Sequence, residues 1–120
     1  METLPISKED GMILLRMIQI RALCSDLHSN AFTLRRLLQL SIKLGLTDSK
    51  VVRLNKEEAE IAIETHVDLC AANIDTGSES SMEKELDVIK KLFKLTGDTL
   101  NSSLQKTEKK KRKLAKRGKK

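Results

Sequence analysis

From Ile13 to Leu38, the residues Ile13, Met17, Ile20, Cys24, Leu27, Ala31, Leu34 and Leu38 recur at alternating steps of four and three. That spacing holds them on one stripe of an α-helix for almost four heptads, the pattern of a coiled-coil-like seam. A chain built this way folds by laying helices side by side. Around the seam, Leu14, Leu15, Ile18, Ala22 and Leu23 widen the apolar surface, so that between residues 12 and 23 only Arg16, Gln19 and Arg21 are polar. One partner helix cannot cover so wide a surface. The phase runs unbroken through Ser29 and Asn30, and the spacing predicts one long helix over about residues 8–44. Its start is marked by Ser7 with Asp10 three residues on, a capping-box arrangement with Asp in the acidic position.

Composition points the same way. The 120-residue chain holds two aromatic residues, Phe32 and Phe93, no Trp or Tyr, one Pro and five Gly. A sandwich, a barrel or an aromatic-lined pocket lacks its usual material here, and turn-formers are too few for many short strands. The length fits one domain. After Lys43 and Leu44, Gly45 is placed as a helix stop, and Thr47 or Asp48 as the cap of the next helix, so the chain is expected to reverse there. The second helix, about residues 48–75, carries Ala59, Ala62, Ile63, His66, Val67, Cys70 and Ile74 on its apolar stripe, with Glu57, Glu60, Glu64 and Asp68 facing away. Asn55 with Glu58 offers a second start, which leaves residues 48–54 as a short helical turn. Asp75 to Ser81 has loop composition, and Ser80 with Glu83 opens a third helix over about residues 81–105, whose seam weakens after Gly97.

The expected fold is therefore all-α: a long antiparallel helical hairpin plus a third helix, in a three-helix bundle or coiled-coil-like assembly. Residues 1–105 form the helical interaction domain. In so small a chain Leu14, Leu15, Ile18 and Leu23 have nothing left to cover them, which makes them the expected interface for a protein partner or for self-association.

The net charge of +6 is unevenly spread. Residues 106–120 hold ten Lys or Arg against Glu108 alone, a net of +9, and the rest of the chain is mildly acidic at −3. Lys106, Lys109, Lys110, Lys111, Arg112, Lys113, Lys116, Arg117, Lys119 and Lys120 form a basic tail with only Leu114 and Ala115 apolar. Such a segment buries too little to fold alone and is expected to be disordered, or helical only by extension. Its density is that of a nuclear-import signal, and a chain of this charge binds DNA or RNA phosphates by releasing counterions. Without interleaved aromatics it has no means of stacking on bases.

All the cysteines and histidines fall into two pairs, Cys24 with His28 and His66 with Cys70, each spaced i, i+4 on one helix face. A hairpin turning at residue 47 brings the two pairs to one level, where four ligands suit a tetrahedral zinc. The reading favoured over zinc is two free cysteines serving as small core hydrophobes, with no cofactor. Two cysteines 46 residues apart, with no secretory segment ahead of them, suit a reducing compartment. No apolar run approaches the ~20 residues of a membrane span. Phosphate loops and nucleophile elbows are absent, so the chain is read as a non-enzyme. The function expected is a nuclear interaction subunit, if the host is a eukaryote, that docks through apolar helix faces and uses its basic tail for import and non-specific nucleic-acid contact. The alternatives are a cytoplasmic structural or assembly factor whose tail binds polyanions or a membrane surface, and a zinc-stabilised helical hairpin.

Overall fold

The computed structural model describes residues 2–23, 31–46, 48–74 and 79–118. In chain order the elements are β1 (Thr3–Ser7), α1 (Lys8–Leu23), α2 (Ala31–Leu46), β2 (Val51–Asn55), α3 (Lys56–Ala71), α4 (Glu79–Thr96) and α5 (Leu100–Gly118). The chain is mostly helical, as its periodicity predicts, but it also contains a two-stranded sheet that the periodicity does not predict. β1 and β2 pair antiparallel, with Thr3 opposite Asn55 and Ser7 opposite Val51. Ile6, Val52 and Leu54 turn inward and are buried, while Pro5 and Arg53 turn outward, the period-two alternation of a half-buried sheet. Lys8 N–H donates to Lys50 C=O at 3.0 Å, so the ladder bonds fall at even-numbered residues of β1. Pro5 sits between them, its missing N–H directed at the free edge, where it removes no pairing.

The long first helix is not formed. A Cβ on Gly11, near the start of α1, would lie 3.7 Å from Leu44 Cδ2, near the end of α2, and one on Gly45 would lie 3.8 Å from Leu15 Cδ2. In one continuous helix residues 11 and 44 would be about 50 Å apart, at 1.5 Å per residue. α1 and α2 are instead two arms of an antiparallel hairpin that reverses between Leu23 and Ala31. Ser29 and Asn30, through which the single helix was expected to run, lie outside the described residues.

This reversal corrects the expected partner interface. Leu14 and Ile18 are 0% exposed and Leu15 is 9% exposed, because α2, α3, α4 and the sheet together cover the apolar sides of α1. Met17, Leu37, Leu40, Leu44, Ile63, Ile89 and Leu92 close around them in one cluster. α1 keeps one exposed stripe, Glu9, Met12, Arg16, Gln19 and Leu23, and splitting the seam into two helices supplies the layer that covers the rest of its wide apolar surface. Of the four residues only Leu23, 86% exposed, remains on the surface.

The second helix starts at the later of its two candidate positions. Asn55 Oδ1 accepts from Glu58 N–H at 2.8 Å and Glu58 Oε1 accepts from Asn55 N–H at 3.0 Å, a complete capping box. β2 thus passes into α3 without a loop, and Val51–Asn55 is a strand in place of the short helical turn considered from sequence. α3 ends in a Schellman motif. Asn73 adopts φ 54°, Ile74 N–H donates to Leu69 C=O at 3.0 Å and Asn73 N–H to Cys70 C=O at 3.2 Å.

Because Ile18 is fully enclosed, Ile18→Ala is expected to lower unfolding stability by about 2–4 kcal/mol, read from urea denaturation of the full chain. A loss below about 0.5 kcal/mol would show that α1 is not the centre of the core.

Candidate functional site

Residues 106–118 are helical as the continuation of α5 from Leu100, so of the two expectations for the basic segment the helical extension holds and the disordered tail is corrected. α4 stops at Gly97, which takes φ 79° and donates its N–H to Phe93 C=O at 2.8 Å. Two residues later the chain restarts. Thr99 Oγ1 accepts from Ser102 N–H at 3.1 Å and Ser102 Oγ accepts from Thr99 N–H at 3.0 Å, a reciprocal cap in which Ser replaces the usual Glu. From there α5 lies along α3 on a seam of Ser103, Thr107 and Lys110, spaced four and three. The seam is polar, so apolar burial contributes little to holding this helix in place.

Its anchor is electrostatic. Asp68 on α3 is 6% exposed and Arg21 on α1 is 2% exposed, and their side chains meet at 2.5 Å. Lys110 Nζ bonds the other oxygen of the same carboxylate and approaches Glu64 Oε1 to 3.6 Å. Arg21 also donates to Thr65 Oγ1 at 3.1 Å and lies 3.7 Å from Glu64, while its Nε has no partner among the described residues. From its helical phase Asp68 was expected on the solvated side of its helix, and the structure corrects that. Asp68 lies between two cations from α1 and α5, and burial of its carboxylate is tolerable because both are present.

With Lys110 held inward and Lys106 paired with Asp98 at 3.2 Å, Lys109, Arg112 and Lys113 are exposed. Helical spacing sets Lys106, Lys109, Arg112 and Lys113 in a row along one side of α5, and turns Lys111 to the other side. The ten predicted cations therefore play different parts. Lys110 is a structural anchor, the row faces solvent, and Lys111 flanks the groove described next. The side chains of Lys116 and Arg117, and Lys119 and Lys120 entirely, lie outside the described residues.

Beside α5 runs a groove of about 830 Å³ between α3, α4 and α5. Leu69, Leu86, Ile89, Phe93, Leu100 and Leu104 give it apolar walls, with Met82 at its rim. Asn73, Glu83 and Thr107 also line it, and four further polar groups bear on its chemistry. His66 Nε2 lies 3.6 Å from Cys70 Sγ, Glu85 is buried in the wall, and Ser103 Oγ is buried with no partner among the described residues. Burial pushes the Cys70 thiol above its usual pKa, helped by the Glu85 carboxylate and opposed by Lys111, so it is held as a protonated, unreactive thiol at neutral pH. Burial lowers the His66 pKa and favours the neutral ring.

Of the zinc candidates, Cys24 and His28 lie outside the described residues, and His66 with Cys70 forms a neighbouring pair. Among the described residues no group of three or more His, Cys, Asp or Glu is placed to hold a metal ion. Both conditions for four mirrored ligands, a continuous first helix and a second helix starting near Asp48, fail in this fold. Among the described residues no helix is long and apolar enough to cross a membrane. Compared with protein-family models, curated proteins and solved structures, the chain matches none.

The buried cluster and the groove each lend themselves to a measurement. Asp68→Asn leaves Arg21 buried without its counter-charge and is expected to cost about 3–5 kcal/mol, with faster hydrogen exchange along α5. Lys110→Gln, at a half-exposed position, is expected to cost about 1 kcal/mol or less. In the groove the measurement is one of pH. Because the folded chain holds His66 below its ordinary value of 6.5, the unfolded chain alone takes up a proton as pH falls through that value. The stability contributed by the neutral ring is full above 6.5 and declines below it. Between about pH 7 and pH 5, His66→Gln is expected to flatten the fall in melting temperature.

Proposed function

We propose that the protein is a non-enzymatic nuclear interaction subunit, in which the exposed cations of α5 serve import and contact nucleic-acid phosphates, while the apolar groove beside them receives a helix of a protein partner. The observation that carries the reading is the row Lys106, Lys109, Arg112 and Lys113 on a helix that Lys110 pins to the body. A pinned row keeps its charges in register, so phosphates meet an already ordered set of cations and counterion release goes into affinity. The walls of the groove suit an amphipathic helix carrying apolar residues at steps of three and four. On this reading the His66 and Cys70 pair, which burial keeps toward its neutral forms, is part of the groove wall and does no chemistry.

Lys109→Gln, Arg112→Gln and Lys113→Gln together are expected to leave helicity unchanged, because these side chains are exposed. Affinity for a DNA duplex should fall, and the slope of log K against log salt should shrink by about 0.9 for each phosphate that the variant no longer neutralises. The same triple variant, fused to a reporter in eukaryotic cells, is expected to lose nuclear accumulation. Retention of duplex binding and of import by the variant would refute the reading.

A further inference from the structure

α2 is apolar on two sides. Leu37, Leu40 and Leu44 face the core and are 0%, 3% and 3% exposed, whereas Leu38, Ile42 and Leu46, on the far side, are 49%, 60% and 76% exposed. The outer three follow one another at steps of four, so they form a single ridge. A surface helix ordinarily sets polar residues there. The charges around the ridge are unevenly satisfied. Arg36 pairs with Glu57, and Lys43 pairs with Glu58 at 2.7 Å, so both are neutralised within the chain. Arg35, one turn before Leu38, and Asp48, just past the end of the helix, are exposed and enter no ion pair among the described residues.

We propose that this outer face of α2 joins two copies of the chain, antiparallel, about a two-fold axis at Ile42. In that arrangement Ile42 meets its own counterpart, and Leu38 of each copy meets Leu46 of the other. Arg35 then lies at the C-terminal end of the second copy's α2, within reach of Asp48 just beyond it. Every outer apolar residue gains an apolar neighbour, and the two charges that have no ion-pair partner among the described residues gain one of opposite sign. Self-complementarity of this kind is what a two-fold interface requires, because one surface must serve as both halves. Parallel pairing fails the same charge test, since it sets Arg35 beside Arg35 and Asp48 beside Asp48.

The contact is small. One helix pair lies at or below the low end of stable interfaces, so the dimer is a weak, concentration-dependent one. None of Leu38, Ile42 and Leu46 lines the groove or belongs to the cation row of α5, so self-association is separable from the proposed phosphate and partner contacts.

Sedimentation equilibrium of the full chain over a range of concentrations tests the proposal. The wild type is expected to show a monomer–dimer equilibrium, and Ile42→Glu to weaken it at least about tenfold with unchanged helical circular dichroism. Arg35→Asp and Asp48→Arg, both at exposed positions, are each expected to weaken it about three- to tenfold, and together to restore it. A strictly monomeric wild type, an Ile42→Glu chain that dimerises as before, or a double variant no tighter than the single ones would each overturn the proposal.

Discussion

Asp68 is a carboxylate sealed from water, and the arrangement of three helices depends on what surrounds it. Arg21 reaches it from α1 and Lys110 from α5, while Glu64 and Thr65 on α3 take up further donors of the same two side chains. A lone buried charge costs several kcal/mol, so the two buried members, Arg21 and Asp68, depend on each other, while the part-exposed Lys110 and Glu64 add to the cluster without being essential to it. The net energy of such a cluster is small beside that of the apolar core. Its contribution is to alignment. Leucines tolerate sliding by a turn, whereas a carboxylate between two cations has one good position along each helix. α5, whose own seam is polar, has its register along α3 set by this contact.

The division of labour in the basic segment follows from that anchor. Were all its cations free, the segment would be a flexible polyelectrolyte, ordered only when bound. Committing Lys110 to Asp68 and Glu64 gives up one charge for binding and in exchange fixes the direction in which Lys109, Arg112 and Lys113 project. Leu100 and Leu104 are turned to the other side of the same helix and wall the groove. One element thus joins the two surfaces on which the functional reading rests.

Features that depend on spacing along the chain are legible in the sequence. The helical class, the cap at Asn55 and Glu58 and the breadth of the apolar surface of α1 can all be read from residue order alone, whereas the third helix expected over residues 81–105 is in fact two, broken at Gly97 where the sequence shows only a weakening seam. Features that depend on contacts between distant residues cannot be read in this way. The seam from Ile13 to Leu38 keeps its phase across Ser29 and Asn30, so periodicity alone gives one helix where there are two. Val51, Val52 and Leu54 carry a faint strand signal of β-branched and alternating residues, but a five-residue strand is decided by its partner, and β1 contains a proline. Asp68 reads as solvent-facing because charged residues ordinarily are. Its burial depends on Arg21 and Lys110, which only the folded chain carries to it. The cation row is visible as composition, and its separation into an anchor and a solvent face is not.

Pro5 marks the outer edge of β1 with a backbone that cannot donate. A two-stranded sheet leaves the outer edge of β1 open, and an open edge is a template on which another extended chain can add. Pro5 presents no hydrogen-bond donor at the middle of that edge, and its ring projects where an incoming backbone would have to lie. The outer edge of the first strand is therefore a poor seed for strand-by-strand growth into fibres.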